Sequence, residues 1–530
     1  MVANRIGDLP TEIIQQILEH VPPTTIPAVE LVSRQFSAAV QPLLWRHYCR
    51  VKYRFWRADR NIEAKYLGEV VKTNWKALFT ERFQIERNVD RDIDSILSSQ
   101  SGRIEKVEKI TAFGYDAKDA LIRHLRTSDT ADDVLARRYY SDAILGTMHR
   151  REAIRQWLDV RDGKSVSWEK ALGAFDMLTL HDGPGDLDDI THKLDELVDR
   201  LRLECPEIED LSPRRRAVAV AGFMRRSGFD GLSSERDYYD VRNSFIGKAL
   251  FGDDHSTLPL ISAVIYSALA QRVGLDAHPC GFPFHVHALV KSGKGITLDG
   301  FSRPDDFEGE MLFVDPHRSE EEITVPEMRQ KLLTLRLSND NDSVLVPSVP
   351  ADMVRRTSRN IITAIQQLSR PLQRGADAVI DSADTDSAFY GALWALLLLP
   401  EGDDNARQEQ MRRYAPYILQ NVELKYHWDL NLLEEIFLPS FEDTDLHASV
   451  RQVVRTSRAV DNMPKQPKHR TSAEKDVSFR IGQVFKHGRY DYNAVIIGWD
   501  VKCEAEEDWI SHMGVDTLSR GRHQSFYHAL

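Results

Sequence analysis

Apolar residues recur at helical spacing along most of this chain. The pair Ile13 and Ile14 is followed at helical spacing by Ile17 and Leu18, which predicts a helix that ends before Pro22, with a second helix after Pro27. The same periodicity predicts helices over much of residues 95–250 and 354–457. The most apolar stretch, residues 260–273, predicts a buried helix that ends at Gly274.

The pattern changes to short strands in two regions. Residues 285–290 and 311–314 are short apolar runs separated by a Gly/Lys turn, which predicts buried strands. Residues 477–530 carry Gly, Tyr, Trp and Val in short alternating runs, a pattern typical of a small β-barrel. Two stretches rich in Pro and polar residues, 338–350 and 463–470, predict linkers. We therefore expect a multidomain, predominantly α chain with an α+β centre and a small, incomplete barrel at its C-terminal end.

Composition narrows the class of protein. The chain has 530 residues, too many for one core, and its 42% hydrophobic and 28% charged residues exclude wholesale disorder. A net charge of -12 disfavours a bulk electrostatic DNA binder. Its four cysteines form neither a CxxC pair nor a zinc-like cluster, and the longest apolar run, residues 388–399, is too short to span a membrane. With no signal sequence at the start, we expect a reduced protein in the cytoplasm or the nucleus.

Aromatic and basic residues interleave between positions 50 and 87, for example at Phe55, Trp56 and Arg57. This mixture is found on nucleic-acid-binding surfaces, but it is also typical of an amphipathic helix that packs its aromatic residues inward. We favour the packing helix, with its basic residues in solvent.

Three segments near the start form a spaced motif. They read LP-x-EII-xx-IL at residues 9–18, VSR-x-F at 32–36 and LLW at 43–45. Helices this short bury too little surface to be stable alone, so an exposed apolar stripe on them needs a partner. The motif resembles the F-box. The resemblance implies that the following residues bind the small adaptor subunit of a cullin-RING ubiquitin ligase: Leu9, Pro10, Ile13, Ile17 and Leu18. The alternative is an N-terminal helical hairpin that packs on its own chain.

The centre resembles the transglutaminase-like fold. The resemblance is carried by the apolar helix that opens near Ser256 and Thr257, by a strand that bears His285, and by a strand that ends at Asp315. Upstream segments, YY at 139–140, WEKAL at 168–172 and GDLDD at 185–189, resemble the bacterial subfamily that also carries a helical repeat tail.

Such enzymes need a cysteine at the start of the helix, where the helix dipole and a histidine lower the pKa of its thiol. Here the helix start reads DDHSTLP at residues 253–259, without a cysteine. Cys280 lies just before the strand with His285 and is better interpreted as a small buried apolar residue. We therefore expect no catalytic residues and treat Ser256, Thr257, His285 and Asp315 as degenerate site positions, in a frame whose cleft still binds a peptide.

Two alternatives for this centre stay open. A hydroxyl of Ser256 or Thr257 could replace the thiol if a strong base activated it. His285 and His287 share a face of the predicted strand and could bind a metal, but no third ligand is evident from the sequence. We expect neither a metal site nor a cofactor.

The last residues resemble the YccV/HspQ family, known as the hemimethylated-DNA-binding domain. Four blocks carry the resemblance: FRIGQVFKH at 479–487, YDY at 490–492, VIIGWD at 495–500 and QSFY at 524–527. Residues 471–530 hold seven Lys/Arg against nine Asp/Glu, whereas a DNA footprint demands a basic face. Candidate DNA-binding residues are Lys486, His487, Arg489, Arg520 and Arg522. A protein-binding module is the favoured interpretation, and we expect it to be truncated relative to its family.

The three resemblances occur together in one known architecture. We expect an F-box at residues 1–50, a helical linker at 51–134, a transglutaminase-like domain at 135–325, a helical region of degenerate repeats at 350–460 and a YccV/HspQ-like domain at 471–530. The resemblance implies a non-catalytic, substrate-recognition subunit of an SCF ubiquitin ligase. Its partners would be a Skp-family adaptor, a cullin-RING ligase and a protein substrate of unknown identity, without a membrane. The alternatives are a DNA-binding factor that acts through residues 477–530 and an acyl-transfer enzyme with a non-cysteine nucleophile.

Overall fold

A computed structural model describes most of the chain. The described residues are 9–131, 133–181, 183–232, 234–304, 306–335, 344–368, 382–440, 444–464, 477–488 and 492–529. They belong to two compact units, Met1–Met463 and Pro464–Leu530. Both are as the sequence predicts: the first is mainly helical with one small antiparallel sheet, and the second holds another small antiparallel sheet. Within the part of the chain that the structure describes, no helix has the length and apolarity needed to cross a membrane.

The first four helices share one apolar core. They are α1 (Thr11–Glu19), α2 (Ile26–Glu30), α3 (Arg34–Ala39) and α4 (Pro42–Lys52). Ser33 caps α3 by accepting a hydrogen bond from the backbone N–H of Phe36, and Pro42 occupies the first position of α4, where its missing N–H costs nothing. Trp75 and Phe79 complete this core from the first turns of a later helix.

The predicted single packing helix over residues 50–87 is wrong. Helix α4 ends at Lys52, α5 (Ile62–Leu67) is short, and α6 (Trp75–Ser98) begins only after a further break. Asn61 interrupts the segment with a left-handed backbone (φ 45°), a conformation that cannot continue a helix. The aromatic residues are nevertheless buried, as the packing interpretation requires: Tyr53, Trp56 and Trp75 are at most 9% exposed.

A larger helical body follows. Its helices are α7 (Arg103–Ala112), α8 (Lys118–Leu125), α9 (Val134–Arg161), α10 (Trp168–Thr179), α11 (Leu187–Glu204), α12 (Pro213–Arg226), α13 (Ile246–Phe251) and α14 (Pro259–Arg272). Helix α10 lies at the centre, against α9, α11, α13 and α14. Gly173 lets α11 approach it, because a Cβ there would lie 2.8 Å from Ile190. Helix α14 matches the predicted apolar helix and is buried along nearly its whole length.

The sheet of this unit has four antiparallel strands in the order β1-β2-β3-β4. They are β1 (Asp276–Pro279), β2 (Ala288–Lys291), β3 (Met311–Val314) and β4 (Glu322–Ile323), and α15 (Val325–Thr334) packs against β3. The predicted strand over 285–290 starts three residues too early. Phe284 has a left-handed backbone (φ 62°), and the N–H of His285 donates to the carbonyl of Pro283, so the chain turns here before β2 begins.

The remaining helices of the first unit belong to the same core. They are α16 (Pro350–Leu368), α17 (Ser382–Leu398), α18 (Asp404–Leu424), α19 (Leu430–Leu432), α20 (Leu438–Ser440) and α21 (Thr444–Asn462), with a π-helical turn at Leu433–Phe437. Helices α16 and α17 pack against α10, and one continuous apolar core extends from Ile85 to Val454. A buried ion pair adds a polar link, because the Arg150 guanidinium on α9 binds both carboxylate oxygens of Asp429 at 2.6 and 2.9 Å.

The C-terminal unit contains a three-stranded antiparallel sheet in the order β5-β6-β7. Its elements are β5 (Val484–Lys486), β6 (Asn493–Asp500), α22 (Glu507–His512) and β7 (Phe526–Ala529). A bulge between Ile496 and Gly498 bends β6. The described residues of this unit form an open sheet and not a closed barrel, in keeping with the incomplete barrel that the sequence predicts.

Candidate functional site

Helix α1 has one buried face and one exposed face. Ile14 and Leu18 are 1% and 2% exposed and belong to the N-terminal core, whereas Ile13 and Ile17 are 41% and 40% exposed. A spacing of four residues places Ile13 and Ile17 on one face of the helix. Of the predicted adaptor-binding residues, these two isoleucines and Pro10 therefore lie on the surface, and Leu9 is half-buried. Leu18 points into the core, because the helical period places it on the same side as Ile14, and its role in adaptor binding stays a prediction.

Further apolar side chains are exposed in the same four-helix segment. Leu31 and Val32 follow α2 and are 87% and 68% exposed, and Leu43, in the first turn of α4, is 54% exposed. Leu43 lies beside the side of α1 that carries Gln15 and Glu19, with which it lines a surface depression, and the helical period places this side away from Ile13 and Ile17. Large apolar residues exposed together on a small soluble domain are typical of a protein-binding surface. We call Ile13 and Ile17 the α1 surface.

A second candidate site lies at the end of the central sheet. Register places Ala288 of β2 opposite Val314 of β3, so the residues just before β2 and just after β3 lie side by side. His285 Nε2 is 2.9 Å from Asp315 Oδ1, and His287 Nε2 is 3.9 Å from Asp315 Oδ2. The sequence thus identified a histidine and a carboxylate that the fold brings into contact, although His285 lies in a turn and not on a strand.

His317 joins this group and was missed by the sequence reasoning. Its ring lies 5.6 Å from that of His285, centroid to centroid, in an edge-to-face arrangement. The only signal in the sequence was its position two residues after Asp315, in the turn that follows β3. We call His285, Asp315 and His317 the histidine cluster.

Burial sets the protonation of this region. Burial lowers the pKa of His287 to about 4 and that of His317 to about 4 as well, so both rings are neutral at pH 7. Burial alone would raise the pKa of Asp315, but the hydrogen bond from His285 and the neighbouring imidazoles outweigh it, and the net pKa lies below its ordinary value. Asp315 is therefore a carboxylate that can orient a histidine ring.

The start of α14, where a papain-like enzyme would hold its nucleophile, carries no thiol. Thr257 is 1% exposed, and its hydroxyl lies 2.6 Å from that of Ser262, inside the protein. Ser256 is half-buried, and its N–H binds the side chain of Asp254. Cys280 is fully buried in an apolar cluster, and burial raises the pKa of its thiol. The cluster thus holds a histidine–carboxylate pair, while Thr257 directs its hydroxyl elsewhere.

The candidate DNA-binding residues of the C-terminal unit do not act as a group of free cations. Arg522 pairs with Glu507 at 2.7 Å and with Asp516 at 2.8 Å, which neutralises its charge. The ring of His487 stacks on Tyr492 at 4.8 Å. Lys486 and Arg520 are exposed, and Arg489 lies outside the described residues. DNA binding by this unit stays a prediction.

Comparison with known proteins identifies three families along the chain. The F-box-like family matches residues 6–51, the transglutaminase-like superfamily matches residues 188–359, and the family described as hemimethylated DNA-binding protein YccV like matches residues 477–530. The α1 surface lies within the first match and the histidine cluster within the second. No solved structure matches the chain significantly.

Curated relatives match part of this chain. F-box only protein 21 of Homo sapiens is 26% identical over 305 residues, and that of Pongo abelii is 25% identical over 308 residues. Each alignment covers 56% of this chain but only 44% and 43% of the respective relative, so the match spans less than half of the relatives' length. The chain is homologous to F-box only protein 21 and carries F-box-like, transglutaminase-like and YccV-like domains at its N-terminus, centre and C-terminus.

Proposed function

We propose that the chain is a substrate-recognition subunit of an SCF-type cullin-RING ubiquitin ligase. The observation that carries this proposal is the α1 surface, where two isoleucines one helical turn apart stand 41% and 40% exposed within the F-box-like match. A Skp-family adaptor that covered this surface would remove apolar area from water, which is the main driving force for association. In this proposal the F-box occupies residues 1–50, and the central and C-terminal domains bind the target protein.

The chain itself performs no ubiquitin chemistry in this proposal. A papain-like thiol is missing at the start of α14, the hydroxyl of Thr257 is bound to Ser262, and Cys280 is buried. Ubiquitin transfer then belongs to other subunits of the ligase. We further propose that the protein works in the cytoplasm or nucleus, in keeping with its four free cysteines.

A capture experiment tests the proposal. Tagged full-length chain should retain the adaptor and the cullin from its own cells, and the Ile13→Ala plus Ile17→Ala variant should lose both. Leu203→Ala provides a matched control, because Leu203 is 82% exposed on α11, outside the F-box-like match. If wild type captures neither subunit, or if the double variant captures as much as the control, the proposed role is wrong.

The acyl-transfer alternative has its own test. Purified chain should release no ammonia from glutamine peptides and should hydrolyse no peptide, and Thr257→Ala should leave that background unchanged. Activity that disappears in His285→Ala would establish an enzyme and overturn the non-catalytic assignment.

A further inference from the structure

Three side chains near the end of the central sheet converge on one point. His285, Asp315 and His317 each offer one ligand atom, and these atoms lie within 4.8 Å of one another. Their positions follow from the fold, because β2 and β3 are paired and all three residues lie in the turns that adjoin the same end of this pair. From the sequence alone, His285 and His287 had been the metal-binding candidates, without a third ligand.

Within the histidine cluster, the ring nitrogens of His317 lack hydrogen-bond partners in the described part of the chain. Both of its ring nitrogens are buried and have no hydrogen-bond partner among the residues that the structure describes. The carbonyl of Thr257 is near the ring but outside hydrogen-bonding geometry. A buried polar atom without a partner destabilises a native fold, and a ligand that accepts a bond from these nitrogens' lone pairs would satisfy them.

The ring of His317 is also held in place. Gly231 has φ +87°, and a Cβ at that position would lie 2.4 Å from the carbonyl oxygen of His317 and 3.0 Å from its ring carbons Cδ2 and Cε1. The backbone at Gly231 therefore packs directly on His317 and restricts its rotation. A ring that is fixed in advance loses little conformational freedom when it binds a ligand.

His287 is excluded as a ligand by its own contacts. Its Nδ1 lies 2.8 Å from the carbonyl oxygen of His285, which can only accept, so Nδ1 carries the proton and donates. Its Nε2 is then the acceptor and faces Lys331 Nζ at 3.4 Å. The Lys331 ammonium competes for this nitrogen, and His287 instead fixes the backbone that carries His285.

We propose that His285, Asp315 and His317 form a binding site for a divalent transition-metal cation, foremost Zn²⁺. Two imidazoles and one carboxylate are ligands that zinc accepts, whereas Mg²⁺ and Ca²⁺ demand oxygen ligands. Tetrahedral zinc with bonds of about 2.0–2.1 Å places its ligand atoms about 3.4 Å apart, so side-chain movements of about 1 Å close the cluster. A fourth position stays open to water or to a side chain of a bound protein. The proposal does not depend on adaptor binding.

A metal titration of the full chain tests the proposal. Metal-stripped protein competes with a chromophoric chelator for Zn²⁺, and thermal unfolding is followed with and without Zn²⁺. Wild type should bind one equivalent and gain thermal stability, and neither Mg²⁺ nor Ca²⁺ should replace Zn²⁺. His317→Ala should weaken Zn²⁺ binding by more than about 100-fold, since it removes a ligand where even outer-shell changes cost 10–100-fold.

The chain offers a matched control. His278 Nε2 lies 2.6 Å from Asp276 Oδ1 on β1, so this pair is a histidine–carboxylate contact outside the cluster, and His278→Ala should bind Zn²⁺ as wild type does. If His317→Ala fails to fold, His317→Gln retains a polar side chain and is measured instead. Wild type without stoichiometric Zn²⁺ binding, or a folded His317 variant that binds as tightly as wild type, would overturn the proposal.

Discussion

The α1 surface allows a quantitative prediction for adaptor binding. Burying a whole isoleucine side chain contributes about 1.5–3 kcal/mol, and about 40% of each side chain remains exposed at Ile13 and Ile17. Covering that remainder is then worth about 0.6–1.2 kcal/mol per residue. The Ile13→Ala plus Ile17→Ala variant should therefore lose about 1.2–2.4 kcal/mol of binding free energy, which is about 7-fold to 50-fold in Kd.

Leu18→Ala is a comparison variant that distinguishes a loss of adaptor affinity from a loss of folding stability. Leu18 is 2% exposed and packs in the N-terminal core, so its truncation should cost about 2–5 kcal/mol of unfolding free energy. The double isoleucine variant should change stability by less than half of that amount, because its side chains are partly in solvent already. Both variants should weaken adaptor binding, but only Leu18→Ala should do so by unfolding the segment.

The assay combines calorimetric titration of full-length chain with purified adaptor and denaturant unfolding of the same preparations. Leu203→Ala serves as the control in both measurements. An unchanged Kd in the double isoleucine variant would refute the assignment of the α1 surface. So would a loss of affinity that is matched by an equal loss of stability.

Three further predictions concern the body of the chain. Asp429→Ala should cost about 3–5 kcal/mol of unfolding free energy, because it leaves the Arg150 guanidinium buried without its carboxylate; a cost below about 1 kcal/mol would contradict the buried pair. Burial raises the pKa of Asp176 to about 7, so the protonated form favours folding, and stability should fall as pH rises from about 4 to 7, by up to about 1.4 kcal/mol per pH unit. Asp176→Asn should remove that share of the slope in urea titrations, and an identical slope in both proteins would disprove it. Native-state alkylation followed by mass spectrometry should modify half-buried Cys503 well before Cys280, and equal rates would show that Cys280 is accessible.

The sequence predicted the long amphipathic elements because each of them buries one stripe of side chains. Helix α14 and strand β3 are instead buried almost throughout, and they lie where continuous apolar runs predicted them. The break at Asn61 and the turn at Phe284 escaped prediction, because both residues adopt a left-handed backbone that the sequence pattern does not indicate. The sequence also did not predict that Leu18 is buried, since its neighbour Ile17 is equally apolar and only packing distinguishes the two faces of α1.

Only some residues of the candidate sites could be identified from the sequence. His285 and Asp315 were identified through the resemblance of the centre to transglutaminase-like proteins, and their contact depends on the pairing of β2 with β3. His317 was missed because a histidine in a turn has no periodic pattern, and its burial comes from Gly231, which is distant in the sequence. The pair of Arg150 with Asp429 spans 279 residues, a separation at which sequence spacing carries no information.

The shared interior of the first unit dictates how the polypeptide can be cut for laboratory work. Trp394 on α17 is fully buried, and a Cβ at Gly391 would lie 2.9 Å from Leu178 on α10. A fragment that ended before α16 would lack α16 and α17, which pack against α10. It would expose apolar side chains of α10 to water and should be recovered as insoluble aggregate. Expression trials that keep residues 9–463 together retain all the core side chains that the described part of this unit contributes.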